Sequence, residues 1–274
     1  MEFGTGGDVG VVIDVLGSVT VCSEGRPISL PRRRRSLLGL LALRAGTVVT
    51  VGQLVDGLWG EEPPPTAVRT LHSHLAKLGA TLAAGSRDRM ILRRDPGYLL
   101  AVNAVDVDRN RFEELVADGR RDSARGAYGE ADRAYRAALE LWRGRSLADC
   151  SVHGWAAAEG AYLAELWLDS QEGLLGAQLA TGTAEGAPAG IDRLLAEHPL
   201  RERLWELRMV AFLVAGRTAE ALETYQRAQR TLAAELGVGP GAGLRHIRAG
   251  VLAGRSDPRS LLRMAPARHD RARR

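Results

Sequence analysis

Residues 126–138, GAYGEADRAYRAA, return as residues 216–228, GRTAEALETYQRA, at a constant offset of 90. Gly126/Gly216, Glu130/Glu220, Ala131/Ala221, Tyr135/Tyr225 and Ala138/Ala228 coincide. An Ala with a Tyr four positions later puts a small and a large side chain on one helix face, against which a partner helix nests. The glycine ahead of each helix serves the tight turn between partners. A unit of this kind cannot bury its apolar face alone and stacks on its neighbours. A weaker middle copy runs from Thr181-Gly182 through Ile191–Leu195 to His198-Pro199. The expectation for residues 105–254 is an all-α, tetratricopeptide-like domain of about three helical hairpins, closed by a helix over Leu244–Leu252.

The first hundred residues read differently. Val11–Leu16 is β-branched and bounded by Gly17, and Ser18–Cys22 and Pro27–Leu30 read as two further strands turning at Glu24-Gly25. Pro31 opens a helix whose apolar side is Leu37, Leu38, Leu40, Leu41 and Leu43. Val48-Val49-Thr50 reads as an extended link, followed by a helix over Val51–Trp59. Beyond Pro63-Pro64-Pro65 comes a long amphipathic helix with Val68, Leu71, Leu75, Leu78 and Leu82 as one buried stripe. Its opposite face is Arg69, Ser73, Ala76, Lys77 and Ala80, with Thr70 at the edge. Arg89–Arg93 and Tyr98–Leu100, turning at Asp95-Pro96-Gly97, form a hairpin in the position of a wing. Two helices joined tightly, the second turning small, polar and basic side chains outward, suit a DNA major groove. The plainer reading of the same pattern is an ordinary amphipathic surface helix.

Charge follows this division weakly. Residues 1–104 hold 12 Arg/Lys against 9 Asp/Glu, residues 105–254 hold 18 against 22, and residues 255–274 hold 7 against 2. A basic front and an acidic middle fit one part facing phosphate and another facing protein. Among 37 basic residues Lys77 is the sole lysine. No apolar run is long enough for a membrane span, and the N-terminus has no charged-then-apolar signal pattern. Cys22 and Cys150 stand far apart and suggest small buried hydrophobes in a reducing cytoplasm. Nucleotide hydrolysis lacks its Gly-rich phosphate loop, and neither a His-Glu-x-x-His nor a Gly-x-Ser-x-Gly segment occurs. No enzyme, cofactor or metal site is expected. Residues 1–9 and the basic tail 255–274 are expected to be disordered.

Further segments carry a family resemblance. Leu54-Val55-Asp56-Gly57-Leu58-Trp59-Gly60 with the prolines after it, Thr70-Leu71 and Pro96-Gly97-Tyr98 mark the front. Leu141-Trp142-Arg143-Gly144, Leu147-Ala148-Asp149, the run Ala196–Leu204 and Glu235–Gly241 mark the rest. In this order they resemble the Streptomyces antibiotic regulatory proteins over roughly residues 10–254. Such proteins join an OmpR/PhoB-type winged helix, here residues 10–104, to a bacterial transcriptional activation domain, here residues 105–254. The resemblance implies a cytoplasmic, nucleoid-associated activator that binds direct repeats at promoters of antibiotic gene clusters through the helix at 66–82. It also implies partners: double-stranded promoter DNA, RNA polymerase holoenzyme through its sigma factor and other subunits, and further copies of itself on tandem repeats. The chain looks like a small member without the ATPase and sensor regions of larger relatives. It departs from them over Ala76-Lys77-Leu78-Gly79-Ala80, where family helices commonly carry several arginines and only Lys77 remains here. The rival reading is an interaction scaffold whose winged helix no longer binds DNA.

Candidate contact residues follow from the helix pattern and the resemblance together. Arg69, Ser73 and Lys77 lie on the outward face, and Thr70 stands on its shoulder between a phosphate contact and packing. His72 flanks the stripe within reach of DNA, whereas His74 reads as partly buried. Arg32–Arg35 at a helix start oppose the macrodipole; Arg34 is a candidate for phosphate, and the alternative is a solubilising surface. Arg93 and Arg94 in the hairpin suit a minor groove or a phosphate. Glu61, Glu62 and Pro64 in the loop would meet polymerase under the family reading, or stand as a solvated turn. Trp59, Trp142, Trp155, Trp167 and Trp205 read as packing residues. The helical acids Glu113, Glu114, Glu130, Glu159, Glu165 and Glu172 read as solvated.

Overall fold

A computed structural model describes residues 11–83, 89–101, 107–148, 150, 153–184, 187–255 and 257–262. The chain divides into two compact units, one of Met1–Val116 with Ala137–Leu168 and one of Ala117–Arg136 with Asp169–Arg274.

The first unit opens with an antiparallel sheet in the order β1 (Val11–Asp14), β2 (Thr20–Ser23), β3 (Arg26–Pro27). Glu24 and Gly25 both take positive φ in the turn from β2 to β3. Helix α1 (Arg32–Ala42) follows, with Pro31 as its N-cap rather than its first residue. Its Leu37, Leu38, Leu40 and Leu41, with Leu43 just beyond, are fully buried. Val48-Val49-Thr50, expected to be a link, is a strand, β4. It pairs antiparallel with β6 (Gly97–Leu100), which pairs on its other edge with β5 (Ile91–Arg94). The hairpin is thus an outer part of a three-stranded sheet anchored next to helix α2 (Val51–Trp59). Thr50 closes a capping box there: its hydroxyl accepts from Gln53 N at 3.1 Å, and its N–H donates to Gln53 Oε1 at 3.0 Å. Gly97 sits where a Cβ would run into the Val49 carbonyl and the Thr50 Cα, so only glycine allows β6 this close to β4.

Later residues complete this unit. Asp108, at the start of α4 (Asp108–Ala124), is 6% exposed. Its carboxylate accepts from Val15 N at 2.8 Å, Leu16 N at 3.0 Å and Arg143 Nη2 at 2.6 Å. Burial raises its pKa, against those three hydrogen bonds. Ser146 donates to the Val15 carbonyl, and Arg143 and Leu147 donate backbone N–H groups to Leu16 and Val15. Ile13 bridges Val107 in parallel, and Trp155 Nε1 donates to the Gln53 carbonyl at 3.0 Å. Backbone groups that the first strand leaves unpaired are satisfied by residues more than ninety positions away. Phe112, Trp142 and Trp167 form an aromatic cluster with ring centroids 5.4 and 6.2 Å apart. The boundary expected at 104/105 falls in residues 102–106, outside the described residues, and the division by packing lies elsewhere.

Helix α5 (Tyr128–Glu140) and helix α9 (Thr218–Leu236) are the two copies of the repeat. Ala131, Tyr135 and Ala138 are buried, as are Ala221, Tyr225 and Ala228. Tyr135 fits against Gly119 and against Gly173 of α6 (Trp155–Thr181), where a Cβ on either glycine would collide with its ring. Gly126 and Gly216 take positive φ before their helices. The second unit continues with α7 (Ala187–Glu197), α8 (Glu202–Val214) and α10 (Ala242–Leu252), all packed with α8 or α9. Arg208 crosses α8 nearly buried, bonding Asp192 and Thr224 and stacking on Phe212. Glu172 is not solvated as expected; it is 8% exposed and accepts from Arg201 Nε at 2.9 Å. The tail is not wholly irregular either: Pro258–Leu262 forms a short helix, α11, whose Leu261 and Leu262 are buried against α8 and α10. Residues 1–9 and 263–274, expected to be disordered, lie outside the described residues, as does Gly10.

Candidate nucleic-acid interface

Helix α3 (Ala67–Ala83) carries the candidate surface. Three prolines preset the approach, since each fixes φ and offers no N–H. Ala67 N donates to the Pro64 carbonyl at 2.8 Å and Thr70 N to the Thr66 carbonyl at 2.9 Å, which starts the helix. Leu71, Leu75, Leu78 and Leu82 are buried as expected. Val68 is not: it is 48% exposed, and Ala67 is buried in its place. At about 100° per residue, Val68 stands roughly 50° from the middle of the leucine stripe. It also lies in the first turn, where fewer neighbours reach it.

The outward face collects Arg69, His72, Ser73, Ala76, Lys77 and Ala80, all exposed. Thr70 is half-buried on the shoulder. No Asp or Glu occurs on α3. One flank meets the hairpin, where the His72 ring lies 6.0 Å from Tyr98 on β6. Arg93 and Arg94 are exposed on β5 of the same hairpin, and Arg94 Nη1 donates to the Arg93 carbonyl. The other flank meets α1: half-buried Arg34 donates to Thr81 Oγ1 at 3.4 Å, and Thr81 donates to the Lys77 carbonyl. His74 sits half-buried on this side, its pKa lowered by burial first and then by Lys77, Arg34 and Arg33. Burial is the largest cause of that shift, and the three neighbouring cations add to it in the same direction. Arg33 is engaged elsewhere, donating to the Leu58 carbonyl and lying 5.6 Å over the Trp59 ring.

Glu61, Glu62 and Pro64 are exposed in the loop between α2 and α3, separate from the outward face. The predicted residues therefore fall into three places: the α3 face with Arg34 at its edge, the hairpin, and the acidic proline loop. Among the described residues no group of three or more His, Cys, Asp or Glu is placed to hold a metal ion. None of the described helices is long and apolar enough to cross a membrane.

Residues 25–100 match the family described as transcriptional regulatory protein, C terminal, and residues 107–252 match the bacterial transcriptional activator domain. The chain is 37% identical to the regulatory protein DnrI of Streptomyces peucetius over 254 residues, covering 90% of this chain and 93% of that one. It is 36% identical to the transcriptional regulator RedD of Streptomyces coelicolor over 251 residues, covering 89% of this chain and 71% of RedD. A solved structure of Mycobacterium tuberculosis EmbR, in complex with a low-affinity phosphopeptide, superposes with a TM-score of 0.84 at 28% identity. That match covers 92% of this chain and 68% of the EmbR chain. With an OmpR/PhoB-type winged helix followed by a bacterial transcriptional activator domain, the chain belongs to the Streptomyces antibiotic regulatory protein family of transcription regulators.

Proposed function

We propose that this protein is a sequence-specific DNA-binding activator of a secondary-metabolite gene cluster, acting in the cytoplasm on promoter direct repeats. The observation that carries this reading is the outward face of α3. It is exposed, free of acids and flanked by a hairpin on one side and by the basic start of α1 on the other. A helix of this kind enters the major groove, with Arg69, Ser73 and Lys77 facing base edges and phosphates. Thr70 and Arg34 hold the backbone on one side, and His72, Arg93 and Arg94 serve the hairpin side. Copies on tandem repeats lie about one helical turn apart on one face of the DNA. Glu61, Glu62 and Pro64 then remain free for the basic surface of polymerase holoenzyme.

The rival reading, an interaction scaffold that has lost DNA binding, draws on Ala76, Gly79 and Ala80. Gly79 costs about 1 kcal/mol of helix stability relative to Ala, and these positions supply no cation. One gel-shift experiment separates the two. On duplexes from promoters neighbouring the gene, Arg69→Ala with Lys77→Ala lowers affinity at least ~10-fold without changing the melting temperature. The slope of log affinity against log salt becomes shallower by about 0.9 for each phosphate that the variant no longer neutralises. Unchanged affinity in the double variant rejects the groove assignment, and no promoter binding by the parent protein favours the scaffold.

A further inference from the structure

Residues 143–148 run beside Val15–Gly17 as a strap. The N–H groups of Arg143, Leu147 and Ala148 donate to the carbonyls of Leu16, Val15 and Gly17 at 2.8, 3.1 and 3.2 Å. Ser146 Oγ donates to the Val15 carbonyl at 2.8 Å, and the Arg143 guanidinium holds Asp108 at 2.6 Å. Between these anchors Leu147 is 2% exposed and takes φ of 55°. Glu24 is the other described non-glycine residue with positive φ, and it stands in an exposed turn. A leucine is strained in this region, where glycine is not, and strain persists only where the surroundings fix it.

What fixes Leu147 is a notch in α1. Gly39 is buried in the middle of that helix, where alanine is the better helix former. A Cβ on Gly39 would stand 2.8 Å from Leu147 Cδ2 and 3.1 Å from Val19 Cγ2, so the notch exists because the side chain is missing. Each residue is the less favourable local choice, and both serve one contact. Local rules broken on both sides of a contact mark a functional position. We infer that the strap controls the placement of the DNA-reading helix, with Leu147 a positioning residue that acts through Gly39 and α1 on α3. The inference rests on the groove reading of α3.

Helix α1 packs on both α2 and α3. Leu40 lies 3.0 Å from where a Cβ on Gly57 of α2 would stand. Towards α3, Arg34 donates to Thr81 Oγ1, and Thr81 donates to the carbonyl of Lys77 at 2.8 Å. Fully buried Leu37, Leu38, Leu40 and Leu41 leave α1 little freedom to deform, so a push at Gly39 moves it as a body. That movement arrives at the turn of α3 that carries Lys77, and hydrogen bonds to bases tolerate little displacement. Leu147 falls within the activator-domain match yet packs in the first unit. A residue of the activator-domain sequence thereby sets how DNA is read.

Three variants of the full chain test this by gel shift on the promoter duplexes, at a temperature where circular dichroism shows each one folded. Leu147→Gly relieves the positive φ, keeps the strap's hydrogen bonds and empties the notch; promoter affinity should fall about 5-fold or more. Leu147→Met refills the notch and should stay within about 2-fold of the parent. Gly39→Ala should weaken binding in the parent but have little effect in the Leu147→Gly background, where its methyl meets no leucine; the two changes are then non-additive. Hydrogen exchange of the free protein supplies a readout without DNA. In Leu147→Gly it should quicken in residues 32–43 and 67–83 while α9, in the second unit, exchanges as in the parent. Parent-like affinity and exchange in Leu147→Gly overturn the inference, as do additive effects of the two changes or exchange that quickens equally in α9. A parent protein that binds no promoter defeats the groove reading instead, and the exchange pattern then decides whether the strap holds α3.

Discussion

Glu172 and Arg201 show what a single residue hides from sequence reading. Glu172 lies on α6 among acids that hydropathy treats as solvated, yet its partner comes from a loop 29 residues later. Burial raises its pKa, and Arg201 acts in the opposite direction. The folded chain thus keeps a proton that the unfolded chain has released. Its contribution to stability therefore falls as pH rises from the ordinary carboxylate range through the raised value. Arg201→Met withdraws the opposing guanidinium and leaves a buried carboxylate. The expected loss is about 3 kcal/mol near neutral pH. It should be smaller at about pH 4.5, where the carboxyl is protonated in the folded state. Urea denaturation of parent and variant at both pH values checks this; equal losses would contradict it. Val68 is the complementary case at the surface. Its hydrophobicity assigns it to the stripe, but the first turn of α3 has too little around it to cover it.

Secondary-structure elements are legible where the signal is local. The span of α2 is readable because an apolar pattern runs between Thr50 and Gly60, although the capping box that fixes its start takes the folded geometry to see. Both repeat helices begin two residues after their glycines, at Tyr128 and Thr218, because the same turn chemistry precedes each. Strand β4 reads as a link because three residues carry no period, and its partner β6 lies about fifty positions away. Helix α11 is hidden because the arginines and prolines around Leu261-Leu262 outweigh two leucines in composition. The packing of β4 on β6 supplies a prediction for the hairpin. Gly97→Ala drives a methyl group into backbone atoms of Val49 and Thr50 that cannot rotate away. It should cost about 2 kcal/mol and lower promoter affinity by displacing Arg93 and Arg94. Thermal melting with a parallel gel shift checks it, and a melting temperature equal to the parent's would show that the strands can separate freely.

At the scale of the whole chain, family boundaries and packing boundaries differ. The activator-domain match begins at residue 107, but Val107, Asp108, Arg143, Ser146 and Trp155 complete the hydrogen bonding of the first unit. Sequence reading separates the halves by composition and periodicity, which are properties of segments. It has no means to see that Asp108 caps backbone N–H groups of Val15 and Leu16. The candidate surface is legible for a different reason: α3 is amphipathic, so its outward residues follow from the leucines beneath. What sequence misses there is electrostatic, the crowding of Arg33, Arg34 and Lys77 around His74.

Lys77, the sole lysine of the chain, reports directly on whether DNA covers the outward face of α3. An amine-reactive acylating reagent then has only Lys77 and the α-amino group as targets, and the second serves as internal reference. Mass spectrometry of peptides from the digested protein should show acylation of Lys77 slowed at least ~10-fold by a bound promoter duplex, with the α-amino rate unchanged. Equal acylation of Lys77 with and without saturating promoter DNA would contradict the account.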